Sequence, residues 1–70
     1  MKLGCILPVH NEEQNIPLLY ERLCDVVRRL NVEYEFLFVN DGSTDGTMEQ
    51  LFILHALDPH IRILDLSRNF

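Results

Sequence analysis

The fold of this chain is decided by the stretch Val39-Asn40-Asp41-Gly42-Ser43-Thr44-Asp45-Gly46-Thr47. Here an apolar run ends abruptly in acidic, amide, hydroxyl and glycine residues, and a helical pattern follows. This change is typical of a strand-to-helix corner, where glycine permits a close approach or a positive φ. Two more polar corners follow apolar runs, His10-Asn11-Glu12-Glu13 and Ser67-Arg68-Asn69. In chain order we call them the first (10–13), second (41–47) and third (67–69) corners, and together they predict a binding site.

The segments between the corners alternate between strand and helix patterns. Apolar runs predict strands over 3–9, 34–39 and 61–66, the first of a kind that is buried on both faces. Spacing at threes and fours predicts a helix of about four turns that begins after Asn15, the expected cap, and ends near Leu30. A second helix ends at Asp58-Pro59, and its predicted buried stripe is Met48, Leu51, Phe52, His55 and Ala56.

The β-α-β-α-β order predicts an α/β fold, half of a doubly wound, mostly parallel sheet. Because parallel crossovers are right-handed in about 98% of cases, we expect the strand order 3-2-1. The carboxyl ends of the strands, and thus all three corners, then share the edge where such sheets bind ligands. A domain of about 60 residues buries only roughly 60% of its surface, and the first strand has one open side. We therefore expect residues 1–70 to be an incomplete domain, whose remainder or a partner strand covers that side.

Composition excludes several classes of partner. The chain carries 6 basic and 11 acidic residues, a net charge of -5, which argues against nucleic acid. No apolar run approaches the ~20 residues that span a bilayer, so the chain is predicted to be cytoplasmic. Cys5 and Cys24 are expected to be buried thiols, and the three histidines lack the spacing of metal ligands.

A calcium loop is one alternative for the second corner. Four positions match the EF-hand pattern, namely Asp41, Ser43, Asp45 and Gly46. Phe52 stands at the twelfth position, where a bidentate glutamate is required, and a strand precedes the loop instead of a helix. Glu33 and Glu35 begin a strand at the opposite edge, where a solvated surface is expected. No metal site is predicted in this chain.

The chemistry of the corners favours a nucleoside. The glycines of a dinucleotide-binding turn are missing from the first corner, and its two acids would repel a phosphate. A carboxylate from Glu12 or Asp41 can instead accept hydrogen bonds from a ribose hydroxyl or a base N–H. Other roles stay open: Asp41 as a turn residue, Glu12 as an acid in the first turn of the helix, and Thr44 and Asp45 as caps of the second helix.

Three motifs carry a resemblance to a known family: 6–13 (ILPVHNEE), 38–47 (FVNDGSTDGT) and 66–70 (LSRNF). In this order they resemble the amino-terminal part of family 2 glycosyltransferases with the GT-A fold. The third motif is most similar to the branch that transfers sugars onto polyprenyl phosphates, the dolichol-phosphate mannosyltransferase and bactoprenol glucosyltransferase relatives. The resemblance covers all 70 residues.

The resemblance implies a nucleotide site for a UDP- or GDP-sugar. Pro8, His10 and Glu12 would line the nucleoside pocket, with Asp41 meeting the base and Ser43 close by. The complete predicted nucleotide-binding set is Pro8, His10, Asn11, Glu12, Asn40, Asp41 and Ser43. The sequence departs from the family's pattern at His10, where tyrosine or phenylalanine is common, and at Asn40, where aspartate often stands.

The resemblance also implies an activity for the whole protein: transfer of a sugar to a polyprenyl phosphate at the cytoplasmic face of a membrane. The family's Asp-x-Asp motif, which holds Mg²⁺ or Mn²⁺ against the diphosphate, and the catalytic residues are expected beyond Phe70. Residues 1–70 are thus expected to bind the donor nucleoside, to hold no metal and to be inactive alone. The alternative is a non-catalytic nucleotide-binding or regulatory module, or the remnant of a decayed gene.

Overall fold

A computed structural model describes residues 2–66 of the protein. The elements in chain order are β1 (Lys2–Val9), α1 (Ile16–Leu30), β2 (Glu33–Asn40), α2 (Thr47–Leu57) and β3 (Ile61–Asp65). The predicted β-α-β-α-β order is therefore confirmed. Most strand ends differ by one residue from the predicted bounds. The third corner lies outside the described residues.

The three strands form one parallel sheet in the order β1-β2-β3, which is the predicted arrangement with β2 in the centre. The register aligns the last residues of the strands, because Val9 is opposite Asn40 and Asn40 is opposite Asp65. The first and second corners thus leave the sheet side by side. Among the described residues, β1 pairs on one side only.

Both helices lie on the same face of the sheet, where they contact each other and cover the core. Phe36 and Phe38 of β2 are fully buried at its centre. The other buried apolar residues are Val9, Ile16, Val27, Leu51, Leu54 and Ile61. Burying a side chain of this size stabilises the fold by roughly 1.5–3 kcal/mol. Because these residues lie between the helices and one face of the sheet, most of the apolar stabilisation comes from this single layer.

The opposite face of the sheet is open within the described residues. Ile6 is 73% exposed and Leu64 is 48% exposed, although both lie on strands. The expectation that β1 is buried on both faces is therefore wrong for this part of the chain, because both helices pack on the other side. Cys5 and Cys24 are free and half-buried, less enclosed than predicted.

The start of α1 differs in detail from the prediction. Asn15 holds the N-cap position and a proline follows in the first turn, but the Asn15 side chain makes no cap hydrogen bond. It donates instead to the carboxylate of Glu12 at 2.8 Å. Glu12 precedes the helix, whose first turn contains no acid, so its interpretation as a first-turn acid is wrong. At the other end, Asn31 has φ 53 and closes the helix in a left-handed cap.

The buried side of α2 was only partly predicted. Leu51 is fully buried as expected, but Phe52 is 57% exposed, and Leu54 takes a core position that the predicted stripe omitted. Because α2 has apolar residues on nearly all sides, spacing alone does not select its buried face. Asp58 ends the helix as predicted.

Candidate functional site

The first corner is an irregular turn that projects its side chains beyond the end of β1. Asn11 has φ 50, a left-handed conformation that asparagine tolerates better than most residues. His10, Asn11 and Glu13 are exposed, and Glu12 is half-buried. The corner therefore presents polar groups to the edge where the sheet opens to solvent.

The second corner turns sharply after β2. Gly42 has φ 67, and a Cβ built there would meet nothing within 4 Å, so glycine is required by backbone conformation and not by crowding. Asp41 is exposed immediately before it. The carboxylate of Asp41 is thus available on the open side of the turn.

Hydrogen bonds join the first corner directly to the second. The His10 ring donates from Nδ1 to the backbone oxygen of Asp41. The backbone N–H of Asn11 donates to Ser43 Oγ at 3.0 Å, and Asn11 Oδ1 accepts from the backbone N–H of Thr44 at 2.8 Å. Residues separated by more than thirty positions in sequence are therefore brought together in one cluster.

A buried threonine continues this connection. Thr47, the first residue of α2, is fully buried, and its hydroxyl accepts a hydrogen bond from the backbone N–H of Glu12 at 2.8 Å. The same hydroxyl donates to Asp45 Oδ1. Without Thr47 the N–H of Glu12 would lose its partner in a half-buried position, which is costly.

Two carboxylates occupy the amino end of α2. Asp45 Oδ1 accepts from the N–H of Thr47 at 3.0 Å, and Glu13 Oε1 accepts from the N–H of Gly46 at 3.0 Å. The hydrogen bond from the Thr47 hydroxyl is the main reason that the pKa of Asp45 lies below its usual range. Asp45 thus satisfies a free N–H at the start of α2 as predicted, although Gly46 holds the N-cap position, whereas the Thr44 hydroxyl bonds to Asn11 Oδ1 and not to the helix. The N–H groups of Gly46 and Thr47 are therefore already bonded and are not free to bind a phosphate.

Asn40 lies beneath the corners. Its side chain is fully buried, and its Nδ2 donates to Asp65 Oδ1 at 3.3 Å, across to the end of β3. Its Oδ1 accepts no hydrogen bond from the part of the chain that is described. Asn40 therefore links β2 to β3 under the site, and its predicted part in nucleotide binding stays a prediction.

Pro8 and Glu12 belong to a neighbouring recess. They line a cavity of about 260 Å³ between the end of β1 and α1, together with Arg22. Another cavity, of about 620 Å³, lies at the far edge beside β3 and is lined by Phe52 and Leu64, away from both corners. The structure thus places all seven predicted residues at one edge, with His10, Asn11, Asp41 and Ser43 in the cluster, Asn40 beneath it, and Pro8 and Glu12 at its flank.

Within residues 2–66, no three or more His, Cys, Asp or Glu side chains lie together in a way that could hold a metal ion. Glu35 binds Lys2 at 3.0 Å and Arg62 at 2.7 Å. The hydrogen bond from Lys2, followed by the charge of Arg62, lowers the pKa of Glu35. The described residues therefore do not fit the divalent cation that the family resemblance implies.

Sequence reasoning assigned no role to Glu13, Thr47 or the side chain of Asp58. Glu13 could have been noticed as a second acid in a corner that faces a helix start. Asp58 accepts hydrogen bonds from the hydroxyls of Tyr20 and Tyr34, both at 2.6 Å, far from the corners. No local pattern marks such a contact, because its members lie on three different elements.

Neither α1 nor α2 is long and apolar enough to cross a bilayer, and these are the helices in the portion of the chain that is described.

Known proteins whose sequences are similar to this chain are named as glycosyltransferases. The model of the family described as glycosyl transferase family 2 matches residues 5–70. The chain is 46% identical over 70 residues to the uncharacterized glycosyltransferase YkcC of Bacillus subtilis, covering 100% of the chain and 22% of the relative.

Two relatives have more specific names. A prophage bactoprenol glucosyl transferase homolog of Escherichia coli is 37% identical over 70 residues, with 100% of this chain and 23% of the relative covered. The undecaprenyl-phosphate 4-deoxy-4-formamido-L-arabinose transferase of Photorhabdus laumondii is 39% identical over 71 residues, with 99% of the chain and 22% of the relative covered. The chain thus spans about a fifth of the length of these relatives.

Proposed function

Because the chain belongs to glycosyl transferase family 2, we propose that its joined corners bind the nucleoside of a UDP- or GDP-sugar, which the whole protein uses to glycosylate a polyprenyl phosphate. The observation that carries this proposal is the contact between the His10 ring and the backbone of Asp41, beside the exposed Asp41 carboxylate. The names of the bactoprenol and undecaprenyl-phosphate relatives support the acceptor.

The His10 ring and the Asp41 carboxylate have the chemistry to bind a nucleobase. His10 donates from Nδ1 to the Asp41 carbonyl oxygen, and its Nε2 lies 3.4 Å from Asn11 Nδ2, where it can accept from the amide N–H. Both ring nitrogens are thus engaged within the corners, while the exposed face of the imidazole can stack on a base. The Asp41 carboxylate can accept from a base N–H, and the turn at Gly42 leaves room for that approach.

The ribose would lie toward Glu12. The Glu12 carboxylate accepts from Asn15 at 2.8 Å and lines the recess beside Pro8. A carboxylate has about four acceptor positions, so one bond to Asn15 leaves capacity for ribose hydroxyls. In this arrangement the base would contact His10 and Asp41, and the ribose would contact Glu12.

The transfer step requires groups that residues 2–66 do not gather. The Mg²⁺ or Mn²⁺ proposed for the whole protein would be held by other residues, and so would the acceptor and the catalytic groups. We propose that the whole protein works at the cytoplasmic face of a membrane and that its remaining residues cover the open side of β1. The 70-residue chain alone would bind a nucleoside without transferring sugar, and sugar transfer by the purified chain would overturn this.

The test is calorimetric titration of the protein with UDP and with GDP. We expect Asp41→Ala to weaken binding of the preferred nucleotide about tenfold or more, because a hydrogen bond to a charged group is lost. Asp25→Ala is the matched control, since Asp25 is an exposed acid on α1 that pairs with Arg29 away from the corners. Unchanged affinity in Asp41→Ala would refute the proposed site. Nucleotide binding by the natural full-length protein without any transfer would favour the non-catalytic module.

A further inference from the structure

Glu13 reaches from the first corner to the start of α2. Its carboxylate Oε1 accepts from the N–H of Gly46 at 3.0 Å, and its own N–H donates to Asp45 Oδ2 at 3.3 Å. Glu13 thus accepts a hydrogen bond from Gly46 and donates one to Asp45 across the gap between the corners. Like the hydrogen bond between His10 and Asp41, this bridge joins the first corner to the second.

The absence of a side chain at Gly46 makes room for this bridge. A Cβ at Gly46 would lie 2.6 Å from Glu13 Oε2 and 2.7 Å from Glu13 Cδ. The backbone at Gly46 has φ -81, which any residue can adopt, so conformation does not require glycine here. The atoms in the way belong to the flexible end of the Glu13 side chain. An alanine would therefore displace the carboxylate of Glu13 at little cost to the fold.

From this geometry we infer that Glu13 is a positioning residue of the nucleoside pocket, which holds the first corner against the second and so sets His10 relative to Asp41. The inference rests on the proposed function, because it assigns a purpose to the spacing of those two groups. This role involves no contact between Glu13 and the nucleotide, because the bond to Gly46 is what holds the two corners together. Gly46 serves the same purpose by leaving the space that the carboxylate fills.

Two different substitutions should break the contact between Glu13 and Gly46 and weaken nucleotide binding to the same extent. Glu13→Ala removes the bridge, and Gly46→Ala pushes the same carboxylate away. We expect each to weaken binding of both UDP and uridine, or of GDP and guanosine, by roughly three- to tenfold, as for one partly solvated charge-assisted hydrogen bond. The double variant should be no weaker than either single variant, because both act through one contact.

Calorimetric titration of the natural full-length protein with nucleoside and nucleotide tests this. Glu13→Gln keeps an acceptor oxygen for Gly46 and should stay within about threefold of the unsubstituted protein. Glu49→Ala is the control, because Glu49 is an exposed acid in the first turn of α2 and its removal changes the charge equally. Thermal unfolding should be nearly unchanged in Glu13→Ala, which separates positioning from support of the fold.

Two results would overturn the inference while leaving the proposed function intact: a loss of affinity in Glu13→Ala of less than about threefold, or full additivity of Glu13→Ala and Gly46→Ala. Failure of the unsubstituted protein to bind any of the four ligands would refute the proposed function itself, and this inference with it.

Discussion

Asp58 provides a buried charge whose contribution to stability depends on pH. It is 5% exposed and follows α2. Its Oδ2 accepts from the hydroxyls of Tyr20 and Tyr34, both at 2.6 Å, and its Oδ1 accepts from the backbone N–H of His60 at 2.9 Å and from His60 Nδ1 at 3.0 Å. The contacts connect α1, β2 and the turn before β3 through one carboxylate.

The pKa of Asp58 sets the size of the effect. Burial alone would raise it, but the hydrogen bonds from Tyr20, Tyr34 and His60 outweigh burial and lower the pKa from 3.8 to about 2. Because the folded state binds this proton less readily than the unfolded state, the carboxylate stabilises the fold by about 2 kcal/mol above pH 4. We expect this contribution to disappear as the pH falls from about 4 to about 2.

Tyr34→Phe tests the network by removing one donor. At pH 7 we expect the free energy of unfolding to fall by about 1.5 kcal/mol, the low end for a hydrogen bond to a charged group, since other donors to Asp58 remain. Below pH 2 the carboxyl is protonated in both states, and the loss should shrink by about 1 kcal/mol. Tyr20→Phe should behave in the same way.

Urea unfolding at pH 7 and at about pH 1, followed by circular dichroism, measures both values. In an Asp58→Asn background the charge is absent, so Tyr34→Phe should cost the same at both pH values. Asp25→Asn is a control for an exposed carboxylate and should change stability by less than about 0.5 kcal/mol. Equal stability of Tyr34→Phe and the unsubstituted protein at pH 7 would refute the reasoning, as would an acid dependence that the substitution leaves unaltered.

Three further substitutions probe the carboxyl edge of the sheet, each by urea unfolding. Asn40→Asp places a second carboxylate beside Asp65, so one of the two pKa values should rise, and stability should decline as the pH increases through that raised value. Thr47→Val leaves the N–H of Glu12 without its acceptor and should cost about 1–3 kcal/mol; no loss would mean that water replaces the hydroxyl. Gly42→Ala should cost about 1–2 kcal/mol through its positive φ, and a smaller loss would show that the turn relaxes.

The stability of the fold should also decline at alkaline pH, because Tyr34 belongs to the same hydrogen-bond network. Burial, and then the hydrogen bond to Asp58, raise the pKa of Tyr34 from 10.0 to about 12. A phenol that holds its proton more tightly in the fold stabilises it fully below pH 10, and this contribution is lost as the pH rises from 10 toward 12. Absorbance titration of the phenolates should give a folded-state transition near pH 12 for Tyr34, and a transition near pH 10 would contradict the contact.

The fold could be predicted from the sequence because its signals are local and agree with one another. The apolar runs of β1, β2 and β3 differ clearly in period from α1, and parallel order follows from the alternation. Once the strands are parallel and adjacent, the corners must share an edge, and the bond between His10 and Asp41 agrees with this. The corner cluster was thus accessible to reasoning from order and direction alone.

The misassigned details depend on contacts between distant residues. Phe52 was placed in the core because it fits a helical spacing, yet Leu54 is buried in the structure because β2 and β3 meet that side of α2. Asn15 was expected to cap α1, but the acid three residues earlier competes for its side chain. The contacts of Glu13 with Gly46 and of Asp58 with Tyr34 escaped notice, since the partners lie more than twenty positions away. Propensity and spacing contain no information about such partners.

The two ends of the sheet differ in how their polar groups are held, and this difference bears on function. At the amino end, Asp58 is buried and its oxygens are bonded on several sides, so it stabilises the fold and leaves no capacity for a ligand. At the carboxyl end, Asp41 and Glu13 are exposed, where hydrogen bonds contribute less to stability. The overall position of the corners therefore depends on the aligned strand ends at Val9 and Asn40, while the proposed bridge from Glu13 sets one corner against the other. The proposed acid-rich site could therefore remain open to a ligand, because the sheet beneath it holds the corners in place.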